Sequence, residues 1–155
     1  MSAGRVVEVH RDHDGVYRGI DVEKNLLDLE VNEDGGLRLF CGRASHSLRN
    51  VEYVIDGLVI GLTKRTVLVA EAVARTTDWL GSWDFGVAVT GLRGLTSLHL
   101  AQYGQEWLAA PFSEEEYRET VRASDERVVK APDSIVTDLT GRLNRALGGS
   151  APILQ

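Results

Sequence analysis

The sequence predicts an α+β domain with one long and one shorter helix packed on one face of a mainly antiparallel sheet. Three observations predict it. Apolar and polar residues alternate in the first third of the chain, a helical apolar period follows in the middle, and the same period returns near the C-terminus. With 155 residues, 43% hydrophobic and 26% charged, the chain has the size of one domain. We expect a single domain over residues 1–149 and a loose tail over 150–155.

The first strands are predicted between Arg5 and about Ser47. RVVEVH and VYRGIDV flank Asp14-Gly15, a dipeptide that favours a tight hairpin turn. LLDLEV and LRLFCG flank Asp34-Gly35-Gly36, whose residues accept positive φ. The second pair therefore predicts a hairpin with one apolar face, because its apolar residues fall at every second position. These residues are Leu27, Leu29, Val31, Leu37, Leu39 and Cys41.

A long helix is predicted from Val51 to about Thr77, where apolar residues recur with a helical period. Asn50 is the expected N-cap. Gly57 and Gly61 each cost about 1 kcal/mol relative to alanine inside a helix, so we expect a strand or second helix to approach closely there. The predicted apolar side comprises Val51, Ile55, Leu58, Leu62, Val69 and Val73, widened by Val54, Val59 and Ala72.

The stretch GSWDFGVAVTGLRG, residues 81–94, predicts a buried strand over Phe85 to Thr90. Its glycines would allow turns at both ends and close packing against the long helix. Trp79 and Trp83 precede the strand and are expected to cover the edge of that core.

The rest of the chain predicts further short elements and a last helix. LTSLHLAQYGQEWL is interpreted as a strand and a loop, and Ser113 and Glu116 have capping-box spacing, which predicts a helix start near Tyr117. YRETVRAS is a further candidate strand, and the acids of Asp125-Glu126 are typical of a helix start. The last helix begins at Pro132-Asp133 and stops at Gly148-Gly149. Its predicted apolar side comprises Ile135, Val136, Leu139, Leu143 and Leu147.

Composition excludes several function classes. Cys41 is the only cysteine, so the chain can form no internal disulfide and no cysteine-based zinc site, and its place in an alternating strand predicts an inert buried thiol. The net charge of −6 is spread evenly, and without a basic region we do not expect direct nucleic-acid binding. The chain carries no recognisable secretory signal, and charges interrupt its most apolar stretch. We therefore expect a cytoplasmic protein with no membrane association.

One polar cluster could carry metal chemistry. His10, Asp12, His13 and Asp14 supply imidazole and carboxylate groups that suit a divalent metal. The same residues surround Asp14-Gly15, and a polar hairpin turn explains them without any metal. We therefore predict no cofactor and no catalytic residue, and keep a small metal-dependent enzyme built on His10, Asp12 and His13 as the alternative function.

The glycines of residues 86–94 could be taken for a ligand loop. Gly86 to Gly91 has the spacing of a phosphate loop, but Leu92-Arg93 follows where lysine and a hydroxyl residue are needed. Gly91-Leu92-Arg93-Gly94 has the spacing of a nucleic-acid GXXG clamp, although here it follows a strand. Such a clamp, with Arg93, Arg65 and Lys64 as phosphate contacts, stays open as a third hypothesis. The candidate partner contacts are Gly91, Arg93, Gly94, Trp79 and Trp83.

Three segments in order, DGLVIGLTKRTVLVAEAVA, GSWDFGVAVTGLRG and YRETVRAS, resemble the C-terminal region of high-GC bacterial proteins whose N-terminal domain is of the AlbA/Schlafen DNA-binding or ATP-binding type. The resemblance covers about residues 37–147, and it brings no catalytic residue. It implies an accessory domain separated from its nucleic-acid-binding module. We therefore predict a non-catalytic interaction domain of a DNA-associated regulatory protein, which binds a protein partner or itself as a homo-oligomer such as a dimer.

Overall fold

The computed structural model describes residues 5–9, 27–32, 35–77, 81–108 and 110–148. The chain forms two compact units, residues 1–44 and residues 45–155, which are described separately. The expectation of one domain over residues 1–149 with a loose tail over 150–155 stays a prediction. Strands and helices are numbered below in chain order over the described residues.

The first unit contains a three-stranded antiparallel sheet of β1 (Arg5–Val9), β2 (Leu27–Val31) and β3 (Leu37–Cys41), in that order. Gly35 takes a positive φ of 85° in the β2–β3 turn, as a residue without Cβ does easily. The predicted hairpin is confirmed, and its alternating apolar residues lie opposite one another. The facing pairs are Leu27 with Cys41, Leu29 with Leu39 and Val31 with Leu37.

Two details of this unit bear on the predictions. Cys41 is half-buried rather than buried, and its thiol donates a hydrogen bond to the carbonyl of Arg43 at 3.2 Å. The strand RVVEVH is confirmed over Arg5–Val9. The strand VYRGIDV and the turn at Asp14-Gly15 lie outside the described residues.

The second unit opens with a hairpin of β4 (Ser45–Leu48) and β5 (Val51–Val54). Its two-residue turn is Arg49-Asn50, with φ of 53° and 64°. Positive φ at both turn residues matches the twist of the flanking strands, which favours this kind of hairpin. The prediction of a helix from Val51 with Asn50 as its N-cap is therefore wrong: the chain reverses at Asn50 before the helix starts.

The long helix, α1, spans Asp56–Thr76. Ile55 occupies its N-cap position without a side-chain bond, and the carboxylate of Asp56 accepts a hydrogen bond from the hydroxyl of Ser97 at 2.7 Å. The helix itself is confirmed, but of its predicted apolar side only Val59 is buried within the helix, whereas Leu58 and Leu62 are half-buried and Val69, Ala72 and Val73 are exposed. The buried residues are Val59, Thr63, Val67, Ala70 and Ala74.

The core of the second unit lies between helices and one face of a two-stranded ribbon. The ribbon pairs β6 (Ser82–Thr90) with β8 (Glu116–Ser124) in antiparallel register over nine residues each. Two further helices, α3 (Asp125–Lys130) and α4 (Pro132–Ala146), pack against this face, and α1 packs on α3 and α4. The α+β class, with antiparallel sheets and helices packed on them, is confirmed. Buried core residues include Val67, Ala70, Phe85, Ala123, Val128, Ile135, Val136 and Leu139.

The predicted strands of the ribbon are both present, but each is buried on one face only. Trp83, Phe85 and Val87 point toward the helices, and the residues between them are exposed. The predicted helix start near Tyr117 is wrong, because residues 116–124 alternate between the buried and exposed faces of a strand. The acids Asp125-Glu126 do open a helix, capped by Ser124, whose hydroxyl accepts from the amide of Arg127.

The segment between the ribbon strands differs from its prediction, whereas the last helix agrees. Residues 95–108 form the two-residue strand β7 (Thr96–Ser97), which pairs in parallel with β5, then the short helix α2 (Leu98–Gln102) and a 3₁₀ turn (Glu106–Leu108). Ser97 caps α2 by accepting from the amide of Leu100. The predicted apolar side of α4 is confirmed, and all five residues are buried: Ile135, Val136, Leu139, Leu143 and Leu147.

Candidate interaction surface

The side of α1 that points away from the core carries aliphatic and small side chains and one arginine. The helical rotation of 100° per residue places them beside and opposite the buried residues, and Leu58, Gly61 and Leu62 are half-buried. Leu68, Val69 and Val73 are 41%, 44% and 42% exposed. We call this set the outer face of α1. It comprises Leu58, Gly61, Leu62, Arg65, Leu68, Val69, Ala72 and Val73.

The inner face of α1 is buried although its side chains are no larger. Ala70 and Ala74 belong to the core of the unit, where α1 packs on α3 and α4. The hydroxyl of Thr63 donates to the carbonyl of Val59 at 2.8 Å, which satisfies its hydrogen bond inside the core. The helix is therefore apolar on two sides. A helix with that pattern is normally covered on both, so the outer face is a candidate binding surface.

The charged residues around α1 are mostly held by their own unit. Lys64 lies 3.3 Å from a carboxylate oxygen of Asp133, and Arg75 pairs with Glu71 at 2.8 Å. Arg75 also donates to the carbonyl of Val129. Arg65 is exposed and, within the part of the chain that the structure describes, makes no ion pair or side-chain hydrogen bond. It is the cation of the outer face.

Gly57 and Gly61 do not fill the role expected of them. No heavy atom of the described residues outside the helix's own backbone and the chain neighbours lies within 4 Å of the position that a Cβ would occupy on either glycine. The predicted close approach of a strand or second helix from this chain is therefore wrong for the described residues. Because Gly61 has no side chain, it leaves a shallow depression in the outer face, one turn before Arg65.

A second group of exposed apolar side chains follows α2. Tyr103, Trp107 and Leu108 are 68%, 80% and 50% exposed. The Tyr103 ring meets His99 edge-on, with centroids 5.0 Å apart. Sequence reasoning missed this group, and its signal was the aromatic pair around Gly104-Gln105, which fits neither a helical nor a strand period.

Two backbone amides of the loop at Gly91–Gly94 donate hydrogen bonds to carbonyls of the same unit. Gly91 and Gly94 both take positive φ, of 71° and 82°. The amide of Leu92 donates to the carbonyl of Glu115, and that of Gly94 donates to the carbonyl of Phe112. A nucleic-acid clamp needs free backbone donors facing a phosphate, so these bonds count against the clamp hypothesis.

The side chains singled out beside this loop fall in different places. Arg93 is 69% exposed, and its Nε lies 3.8 Å from a carboxylate oxygen of Glu115, a loose surface pair. Trp83 is half-buried, stacks with Phe85 and donates to the carboxylate of Asp125 at 3.2 Å. Trp79 lies outside the described residues. The structure brings neither Arg93 nor Trp83 into the outer face of α1, and their role as partner contacts stays a prediction.

The candidate metal ligands His10, Asp12, His13 and Asp14 also lie outside the described residues. In the described ranges no group of three or more histidine, cysteine, aspartate or glutamate side chains is placed to hold a metal ion. The metal-dependent alternative therefore stays a prediction.

The exposed face of the ribbon contrasts with the outer face of α1. Arg122 donates two hydrogen bonds to Asp84, at 2.7 and 2.8 Å, and these bonds hold the pKa of Asp84 below its ordinary value. Arg118 pairs with Glu116 on the same face. Lys130 likewise lowers the pKa of Glu126 by a hydrogen bond. These shifted groups belong to exposed ion pairs, which are typical of a solvated surface.

Comparison of the chain with protein-family models, with curated proteins and with solved structures finds no match. The resemblance to the C-terminal region of AlbA/Schlafen-type proteins accordingly stays a prediction. Among the described residues, no helix combines the length and the apolar character needed to cross a bilayer.

Proposed function

We propose that this chain is a non-catalytic interaction module that binds a protein partner, or a second copy of itself, through the outer face of α1. One observation carries the proposal: α1 is apolar on two sides, and the described residues of its unit cover only one. Water in contact with Leu68, Val69 and Val73 is released when a partner covers them, and each Å² of apolar surface buried contributes about 25 cal/mol.

The size of the face sets the expected strength of binding. The outer face runs from Leu58 to Val73, about 24 Å along the helix, and with a contact strip about 10 Å wide it offers roughly 240 Å². A stable interface buries about 800 Å² on each partner. The face alone therefore supports a transient association, or forms the centre of a wider contact.

The electrostatics support binding rather than catalysis. A catalytic carboxylate is usually shifted by burial or by a neighbour inside a cleft. Among the described residues, the two carboxyl groups with a lowered pKa, Asp84 and Glu126, each lie on the surface beside a paired cation. Their shifts are explained by those pairs alone.

The resemblance noted above adds a biological setting to the proposal. It favours a cytoplasmic, DNA-associated regulatory assembly in which this module contributes protein contacts and another component contacts DNA. The even acidic charge of the chain fits that division of roles, because DNA binding depends on clustered cations.

The proposal is tested by comparing association of the full chain with that of two lysine variants. Val69→Lys places a charge on the outer face of α1, and Thr120→Lys places the same charge on the exposed face of the ribbon. Sedimentation velocity measures self-association, and affinity capture from the source cells measures partners. We expect Val69→Lys to abolish a dimer or a captured partner that Thr120→Lys retains. Association that is the same in both variants, or absent in the unmodified chain, would refute the proposal.

A further inference from the structure

We infer that the occupant of the outer face of α1 is an amphipathic helix of a partner protein that places a carboxylate against Arg65. The inference rests on the proposed function and goes further, because it states the shape and the charge of the partner. It is carried by the spacing of the outer face, by the environment of Arg65 and by the open space beside Gly61.

The spacing of the outer face is that of a helix-packing seam. Steps of four, three, four and three residues separate its central members, and a second helix packed along the first contacts positions with this spacing. Aliphatic residues occupy the ends of the seam and one cation its middle. The members are Leu58, Leu62, Arg65, Val69 and Ala72.

Within the described part of the chain, Arg65 is a cation without an ion pair, and its neighbours along the helix face are apolar. Gly61 and Leu62 lie one turn before it, and Leu68 and Val69 one turn after it. The nearby Lys64 is already paired with Asp133. An apolar partner that covered the seam would take the guanidinium out of water without compensation, which is costly. A partner with a carboxylate at this point removes that cost, since guanidinium and carboxylate form two parallel hydrogen bonds.

A second copy of the chain complements this seam poorly. The seam contains no acidic residue, so an α1–α1 pair centred on Arg65 would bring two guanidinium groups together. A pair centred elsewhere would leave each Arg65 against aliphatic side chains. The net charge of −6 adds a general repulsion between copies.

Gly61 favours a closely packed helix rather than a loop or a strand. The distance between packed helices depends on the side chains at their contact. With open space beside Gly61, a partner helix can approach most closely one turn before Arg65. The carboxylate of the partner is then within reach of the guanidinium even from a short aspartate side chain.

The test uses a displayed library of amphipathic helical peptides as the probe. Their apolar heptad positions are fixed as leucine or valine, and one central position is randomised among Asp, Glu, Gln, Lys and Leu. Selection is carried out against the unmodified chain, Arg65→Glu, and a blocked variant with both Leu62→Lys and Val69→Lys. Circular dichroism confirms that all three proteins are folded.

We expect the unmodified chain to select peptides with Asp or Glu at the central position. The Arg65→Glu variant should select peptides with Lys there. A selected acidic peptide should bind Arg65→Glu at least tenfold more weakly, and its Lys counterpart should recover that loss. The blocked variant should select nothing.

Three results would overturn the inference, and they separate it from the proposed function. If peptides bind without a preference at the central position, the charge complementarity is wrong and the binding surface stands. If the unmodified chain forms a dimer that the blocked variant loses, the occupant is a second copy. If the unmodified chain and the blocked variant select the same peptides, or neither selects any, both the inference and the proposed function fail.

Discussion

The two faces of α1 have similar hydropathy, but one is buried in the core and the other is exposed to solvent. The inner face, with Val59, Val67 and Ala70, is buried in the unit, where α1 packs on α3 and α4, whereas the outer face exposes Leu68 and Val69. The inner face even includes a threonine, whose hydroxyl bonds within the helix. The difference teaches that the fit of small side chains to α3 and α4, rather than aliphatic size, determines which side of this helix enters the core.

The largest difference in the free energy of unfolding is expected between two variants that place one carboxylate on either face of α1. Val67 is 1% exposed, so Val67→Asp buries a charge without a partner and should lower the free energy of unfolding by about 4 kcal/mol or more. Val69→Asp should change it by no more than about 0.5 kcal/mol. Urea denaturation followed by circular dichroism measures both. Equal losses would mean that the outer face is also part of the core.

A smaller difference in stability is expected between two variants that place a larger side chain on either face of α1. Ala70→Leu inserts atoms into the core on the side of α1 that packs on α3 and α4, and should destabilise the chain by about 1–3 kcal/mol. Ala72→Leu enlarges the exposed side and should leave the unfolding transition nearly unchanged. Thermal unfolding of the two variants, measured side by side, checks the difference. A cavity beside Ala70 would instead make the first variant stabilising.

Gly61→Ala should act in opposite directions on stability and on binding. The added Cβ meets open space, so the helix should gain about 1 kcal/mol from the better helix former. The same methyl group fills the shallow depression at Gly61, near Arg65. It should therefore weaken the binding of a peptide that was selected for binding to the outer face. Denaturation and peptide titration are the two measurements. A variant that binds the peptide more tightly would contradict the close approach.

The smallest effect is expected at the ribbon, from the pH dependence of the Asp84–Arg122 pair. Arg122 holds the folded-state pKa of Asp84 below its ordinary value of 3.8. The pair therefore contributes stability at pH values above that value, and the contribution is lost as the pH falls through the folded-state pKa. Asp84→Asn should flatten this part of the stability profile, and high salt should do the same, because the pair is exposed. Identical acid profiles for the two proteins would exclude the contribution.

Sequence patterns predicted best those elements in which one face alone is apolar. In α4 the apolar residues fall on one side and charges on the other, so both the helix and its buried face were predictable. The β2–β3 hairpin combines a strict alternation with glycines at the turn. In α1 the period indicated a helix, but with two apolar sides it did not indicate which one is buried.

The remaining errors have local physical causes. Val51 and Ile55 are spaced as in a helix, yet the Arg49-Asn50 turn pairs Val51 with Leu48 and makes a strand of residues 51–54. The loop around Arg93 resembles a ligand loop because of its glycines, but the amides of Leu92 and Gly94 donate to carbonyls of the same unit. Arg65 had no signal in the sequence as the centre of a surface, because its isolation becomes visible only when the neighbouring charges are seen to be paired.

Site-specific photocrosslinking in the source cells tests the outer face of α1 most directly. A photoreactive residue is placed at Val69 in one protein and at Thr120 of the ribbon in another, each in the full chain. We expect Val69 to form crosslinks to one discrete protein and Thr120 to form none. Crosslinks of equal yield from both positions, or none from Val69, would contradict the account.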